Sequence, residues 1–273
     1  ESCVVAKASD VVVLCVGLDE RYEGEAHHIS TGECIGGDKE DLYFPETQRK
    51  LIDAVLDCGT PVVLCCMAGS CMDLSPYADR AAAVIQTWYP GAEGGQVLAD
   101  ILAGKTAPSG KLPVTFYGGD YEIPDFTDYS LKNRTYRYVE QGVLYPFGYG
   151  LTYGTAEVIS AAYDSESKKV SYEIVNHSDR AVEETVQVYK KNRTSKWEVR
   201  NTVLCGFAKV CLAPGETRQG EIQLDEYAFT VVNDQGKRVQ DGSDYLLYVG
   251  THGPDKRSEE LTGTKAIALD IKF

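Results

Sequence analysis

The chain changes its hydrophobic period part-way along, and that change restricts it to two layers of different kind. Up to about Phe116, short uninterrupted apolar runs, "DVVVLCVG", "PVVLCCMAG" and "AAAVIQTWY", alternate with helix-like segments, the pattern of a mostly parallel sheet covered by helices. "PETQRKLIDAVLDCG" predicts a helix. Its proline stands at the start, Leu51, Ile52, Val55 and Leu56 share one stripe, and Gly59 stops it. "GAEGGQVLADILAGK" predicts another, ending near Gly104. The strand runs lack polar alternation, as expected of strands covered on both faces.

From about Ala156 the period becomes two, in "KKVSYEIVNH", "EETVQVYKKN", "TRQGEIQLD" and "SDYLLYVGTH", with turn residues between them. Short alternating strands at this spacing make an antiparallel β-sandwich. Between the two textures lies a Tyr-, Gly- and Pro-rich stretch through "YPFGYGLTY". The expected organisation is an α/β sandwich domain over 1–118, a connector over 119–154 and an all-β sandwich over 155–273.

At 273 residues, with 43% hydrophobic and 25% charged residues, the chain can bury a core in each layer. A formal net charge of −14 argues against nucleic acid and against anionic membrane surfaces, both of which need clustered cations. No apolar run approaches the roughly eighteen residues of a membrane span, and "ESCVVAKASD" has no basic flank or signal-like segment. The cysteine count is nine, odd, without a C-x-x-C pair, and Cys15, Cys65 and Cys66 lie inside apolar runs. They read as reduced, hydrophobic thiols, and the compartment reads as cytoplasmic. Asn133, Asn176 and Asn192 begin N-x-S/T tripeptides, read as coincidental.

The run "GLDERYEGEAHHIS", Gly17–Ser30, follows the first apolar strand and holds three glutamates, an arginine and two histidines. Ligands in open α/β sheets collect beyond the carboxyl ends of the strands, and a loop carboxyl there can be tuned for proton transfer. By residue chemistry alone, a solvated acidic loop is the simpler explanation, since charge runs on loops are usually just exposed. "GAEGGQ" lacks the G-x-G-x-x-G spacing and reads as a helix entry. Tyr145, Phe147, Tyr149 and Tyr153 read as packing aromatics, while Trp88, Asp125 and Asp128 receive no role.

Taken in order, "VVVLCVGLDERYEGEA", "GDKEDLYFPETQRKLIDAV", "PVVLCCMAGS", "IQTWYPGAEGGQVLADILAGKTAPSGKLPVTFY", "TYRY" and "LYPFGYGLTYG" resemble the C-terminal half of a glycoside hydrolase family 3 enzyme. "LCGFAKVCLAPGET" is similar to the fibronectin type III-like domain that follows in many members. The resemblance implies a retaining exo-β-glycosidase, a β-glucosidase or β-xylosidase, acting on an oligosaccharide or β-glycoside without cofactor or metal. An Asp on a (β/α) barrel would be the nucleophile and Glu25 the catalytic acid/base, with Glu23 as the competing choice. Glu23 and His27 are then substrate-binding candidates, His27 on the leaving-group side.

Two departures from the family pattern are visible. "HHISTGECIGG" intervenes before Asp38 and Lys39, as though a loop were inserted, and His27 and His28 have no third metal ligand at zinc-site spacing. The second is that no barrel is present, and one alone takes about 250 residues. The chain therefore reads as a fragment, its α/β domain incomplete at the N-terminus, whose barrel partner lies on the same or another chain. Alone it would be inactive; a homo-oligomer is compatible with the sequence. The alternative is a non-hydrolytic carbohydrate-binding or scaffold module derived from such an enzyme.

Overall fold

In the computed structural model, residues 1–19, 22–23, 34–35, 38–39, 41–119, 121–125 and 127–273 are described, with backbone only at 34–35 and 38–39. The chain divides into two units, Glu1–Ala99 with Phe116–Ile123, and Asp100–Thr115 with Pro124–Phe273.

In the first unit α1 (Ser2–Lys7) precedes β1 (Val12–Gly17), the two-residue strands β2 (Cys34–Ile35) and β3 (Asp38–Lys39) pair antiparallel, and α2 (Glu46–Leu56) leads to β4 (Val62–Met67). β5 (Ala83–Gln86), α3 (Gly94–Leu102), whose last three residues belong to the second unit, and β6 (Phe116–Tyr117) follow. β1, β4 and β5 form a parallel sheet in that order, with Leu14 opposite Leu64 and Cys65 opposite Ile85. α2 begins after Pro45 and buries Ile52 and Val55. Val55 joins Ala6 of α1 and Val62 of β4 in a cluster against which Val12 and Leu14 pack.

One expectation is corrected here. The apolar run of β1 predicts a strand covered on both faces. Among the described residues it is an edge strand, and while Val16 is 6% exposed, Val11 and Val13 on the other face are 52% and 44% exposed. An apolar run reports that a surface avoids water but not which surface covers it. β4, the middle strand, does match the expectation: Val62, Leu64, Cys65 and Cys66 are all 1% exposed or less.

In the second unit come α4 (Thr135–Tyr138), β7 (Val143–Tyr145), β8 (Ala156–Asp164), β9 (Lys169–Asn176), β10 (Val182–Asn192), β11 (Val203–Leu212) and β12 (Thr217–Gln223). β13 (Thr230–Val232) and β14 (Arg238–Gln240) form a small hairpin, followed by β15 (Asp244–Gly250), α5 (Lys256–Thr262) and β16 (Ile267–Lys272). Two antiparallel sheets result, β11-β10-β15-β16 and β12-β9-β8, whose inner faces share one core including Val170, Ile174, Val186, Val188, Tyr245 and Leu247. This is a fibronectin type III-like sandwich.

β10 departs from simple alternation because its outer face is covered too. Gln187 donates to the Gly148 and Thr251 carbonyls, both at 2.9 Å, and the buried Tyr189 hydroxyl donates to Gln187 Oε1 at 2.7 Å. The aromatic connector supplies part of that cover: Phe147 stacks on Tyr136 at 4.1 Å and meets Tyr189 edge-on, Tyr145 stacks with Tyr149, and Tyr153 donates to the Ile101 carbonyl at 2.7 Å. Lys111 pairs with Glu184 at 2.7 Å with little exposure of either. Gly150 admits no side chain here, since an added Cβ would lie 2.0 Å from the Gly110 carbonyl oxygen.

The N-x-S/T asparagines are structural. Asn176 and Asn192 are 0% and 2% exposed. The Asn176 amide donates to the Arg180 and Ala213 carbonyls, and that of Asn192 to the Asp241 carbonyl. Asn133 Oδ1 accepts the Glu140 amide at 2.7 Å. Asp125 and Asp128 each accept backbone amides two residues on, in local turns.

The eight cysteines whose side chains are described are unbridged. Burial pushes the Cys65 and Cys205 thiols up to about 12, so neither is a thiolate at neutral pH. Native-state alkylation at about pH 8 should therefore label the exposed Cys15 and Cys211 well before Cys65 and Cys205, which react only on unfolding. Peptide mass mapping reads the order, and early labelling of Cys65 would contradict the packing.

Candidate active site

Three segments leave the carboxyl ends of the parallel strands in the first unit: Leu18–Asp19 after Gly17 ends β1, Ala68–Ser70 after β4 and Thr87–Tyr89 after β5. The first is fixed by an amide clamp. Gln48 of α2 accepts the Gly17 amide at 2.9 Å and donates to the Gly17 carbonyl at 2.7 Å, doing for the edge strand what a neighbouring strand would. Gly17 must be glycine, since an added Cβ would lie 1.8 Å from the Met67 carbonyl oxygen.

Beyond that point the chain turns, the amides of Tyr22 and Glu23 both donating to the Asp19 carbonyl at 2.9 and 3.1 Å. The turn brings the Glu23 side chain over the ends of β4 and β5. Its Oε1 accepts the Ser70 hydroxyl at 3.1 Å, and its Oε2 accepts the Tyr89 hydroxyl in a short hydrogen bond. Gly69 makes the approach possible: a Cβ there would come within 2.8 Å of the Tyr89 ring and 3.3 Å of Glu23 Oε2. The Tyr89 phenol is pushed up to about 12, first by burial and then by its hydrogen bond to the Glu23 carboxylate. It stays a donor throughout the neutral range.

The neighbouring backbone is strained. Trp88 has φ 55°, a left-handed conformation that costs a bulky residue energy and survives only when its surroundings enforce it. Here Thr87 ties both its amide and its hydroxyl to the Cys66 carbonyl, at 2.9 and 3.1 Å, and the Trp88 ring meets Phe116 edge-on at 6.1 Å. The twist carries Tyr89 to Glu23. Tyr89→Phe keeps the ring and removes one donor. Because Tyr89 is 52% exposed, the expected loss is about 1 kcal/mol or less, measured by denaturant unfolding; a loss of several kcal/mol would show that Tyr89 does more than hold Glu23.

Of the sequence-derived candidates, Glu23 is thus placed at the sheet edge with two hydroxyl partners. Glu25 and His27, together with His28, lie outside the described residues. Ser70 and Tyr89 were not singled out by sequence reasoning. The signal available was positional: both immediately follow apolar runs, at the edge where the acidic loop also emerges.

Comparison with known proteins bears on this arrangement. Residues 1–153 match the profile of the glycosyl hydrolase family 3 C-terminal domain, and residues 184–253 that of a fibronectin type III-like domain. The chain is 34% identical to a xylan 1,4-beta-xylosidase of Xylanibacter ruminicola, over 97% of its own length and 31% of that enzyme's. It is 32% identical to a periplasmic beta-glucosidase of Salmonella typhimurium, over 92% of this chain and 34% of the relative. Among solved structures it resembles a beta-glucosidase from Kluyveromyces marxianus, with TM-score 0.81 and 28% identity, covering 99% of this chain and 32% of that one. The chain spans about a third of the length of these relatives.

Proposed function

Because this chain belongs to glycosyl hydrolase family 3, as a C-terminal portion with its fibronectin type III-like domain, we propose that it supplies the general acid/base of a retaining exo-β-glycosidase, with Glu25 as that group. The substrate is a terminal β-glucoside or β-xyloside, and the nucleophile is an Asp on a (β/α) barrel of the same or another chain. The observation that carries the assignment is the seat of Glu23. "EGEA" offers two carboxyls, and the described one has an oxygen committed to Ser70 and the other to Tyr89. A general acid must present its own proton to the departing oxygen. A carboxylate held as acceptor at both oxygens is poorly arranged to do so, which favours Glu25.

Glu23 then serves in substrate binding. Each carboxylate oxygen has a second lone pair, so Glu23 can accept a sugar hydroxyl while Ser70 and Tyr89 hold its orientation. His27, two residues past Glu25, acts beside it on the leaving-group side. In a retaining enzyme the acid/base and nucleophile carboxyls stand about 5–5.5 Å apart, and the nucleophile's charge raises the acid's pKa until the glycosyl-enzyme forms. Glu25 then takes a proton from the attacking water.

The chain by itself therefore hydrolyses no aryl β-glucoside or β-xyloside at a useful rate. Proton transfer contributes about 10²–10⁴-fold, far short of the whole acceleration. Robust turnover by the purified chain, abolished by Glu25→Ala, would overturn the need for a nucleophile elsewhere. Failure of the chain to restore turnover to the separately supplied barrel would favour a non-hydrolytic binding module.

A further inference from the structure

Two thiols converge at the end of α2 in the first unit. The amide of Cys58, just past the helix, donates to the Val55 carbonyl at 3.1 Å. The Ala54 carbonyl, which a further regular turn would have offered to that amide, is left to side chains. Two thiols take it: Cys58 Sγ reaches it at 3.1 Å and Cys3 Sγ, from α1, at 3.5 Å. Cys58 Sγ also lies 3.9 Å from the Cys3 carbonyl oxygen. The two sulfurs are therefore no farther apart than their two distances to the Ala54 oxygen together, and the Cys3 side chain is within hydrogen-bonding reach of Cys58.

Both residues are half-buried rather than sealed, so a small reagent can approach them. A second pair of neighbours differs on that point. Cys15 stands opposite Cys65 across β1 and β4, but Cys65 is 0% exposed and burial pushes its thiol up to about 12. Disulfide exchange needs a thiolate and access to it, and Cys3 and Cys58 offer two reachable sulfurs side by side. Burial, and then the hydrogen bond with Cys3, hold the Cys58 thiol above the ordinary thiol range. That slows its attack, but it also denies the reduced state the extra stability that a low-pKa thiolate would give it, which favours the bridged state once formed.

We propose that Cys3 and Cys58 are a redox-modification site, oxidised by a small-molecule disulfide to an intrachain bridge that ties α1 to the end of α2. One thiolate attacks the S–S bond of the reagent, forming a mixed disulfide and releasing one thiol. The other thiolate attacks the protein sulfur of that mixed disulfide, forming the Cys3–Cys58 bond and releasing the second thiol. The protein gives up two electrons and two protons, and the reagent leaves as two thiols. The bridge closes a covalent loop around β1 and α2 that contains the clamp of Gln48 on Gly17. It is independent of which glutamate is the catalytic acid.

The test incubates the 273-residue chain with oxidised glutathione at about pH 8, where a useful share of thiols is ionised, followed by non-reducing peptide mapping and amide hydrogen exchange. The expected product is a Cys3–Cys58 link, with the amides of α1 exchanging about tenfold more slowly or less than in the reduced chain, because the bridge opposes local opening of that helix. Dithiothreitol should reverse both. Cys58→Ser should leave Cys3 carrying one glutathione, with α1 exchange unaffected by the reagent. Glutathione retained separately on Cys3 and Cys58 of the unsubstituted chain, a Cys15–Cys65 link forming first, or a Cys3–Cys58 link that leaves α1 exchange unaltered would each overturn the proposal. Mapping of the unsubstituted chain decides the pairing whatever the stability of the variant.

Discussion

If Glu25 is the acid/base proposed above, Glu25→Ala in the chain joined to its proposed barrel is expected to lower kcat by about 10²–10⁴-fold on glycosides with poor leaving groups, while activated aryl glycosides should still form the glycosyl-enzyme. The asymmetry follows from what an acid does. A poor leaving group departs only with a proton, whereas a nitrophenolate departs without one. The second step stalls for every substrate, because water needs a base to attack. Azide needs no deprotonation, so adding it restores turnover and yields a glycosyl azide of retained configuration, the product of a second displacement on a covalent intermediate. Glu23→Ala is not rescued. It removes the acceptor that Ser70 and Tyr89 hold and, on the proposed assignment, is expected to act through substrate binding. Rescue of the Glu23 variant with no response from the Glu25 variant would move the catalytic acid by two residues.

Glu198→Ala destabilises the sandwich unit by about 3–5 kcal/mol. Lys190 lies on the central strand β10, and its ammonium donates to both Glu198 oxygens at 3.0 and 2.7 Å, with the two side chains only 6% and 4% exposed. Removing the acid leaves an ammonium in a place with little water to solvate it, and that uncompensated charge, more than the lost attraction, sets the size of the effect. The neighbouring Lys191 already shows the cost of burial, which holds its pKa below the ordinary lysine value. It binds the same segment by donating to the Val199 and Arg200 carbonyls. Thermal unfolding of Glu198→Ala should fall by roughly 10 °C or more, and the double change Lys190→Met with Glu198→Leu should recover most of it, since two apolar groups of similar volume have no charge to desolvate. A single variant with unchanged Tm would show that Lys190 reaches solvent when freed.

The sequence alone determined the elements whose cause is local. α2 was legible because Pro45, the stripe through Ile52 and Val55, and the positive φ of Gly59 are all written within fifteen residues. β9, β10, β12 and β15 were legible from alternation, and the change of period separated the two layers. The carboxyl-rich run after β1 stands out in the sequence, but of its glutamates only Glu23 lies among the described residues. Only the tertiary structure decided which side chains meet. Glu23 finds Ser70 and Tyr89 at separations of 47 and 66 residues because β1, β4 and β5 lie side by side and their carboxyl ends converge, an order that no single strand's pattern encodes. For the same reason sequence could not show that β1 is an edge strand with Val13 exposed, that β10 is covered on both faces, or that Thr115 lacks a partner. Periodicity is a property of one segment and its preference for water. Contacts, burial and hydrogen-bond satisfaction belong to pairs of segments distant in sequence, and exist only once the sheets have assembled.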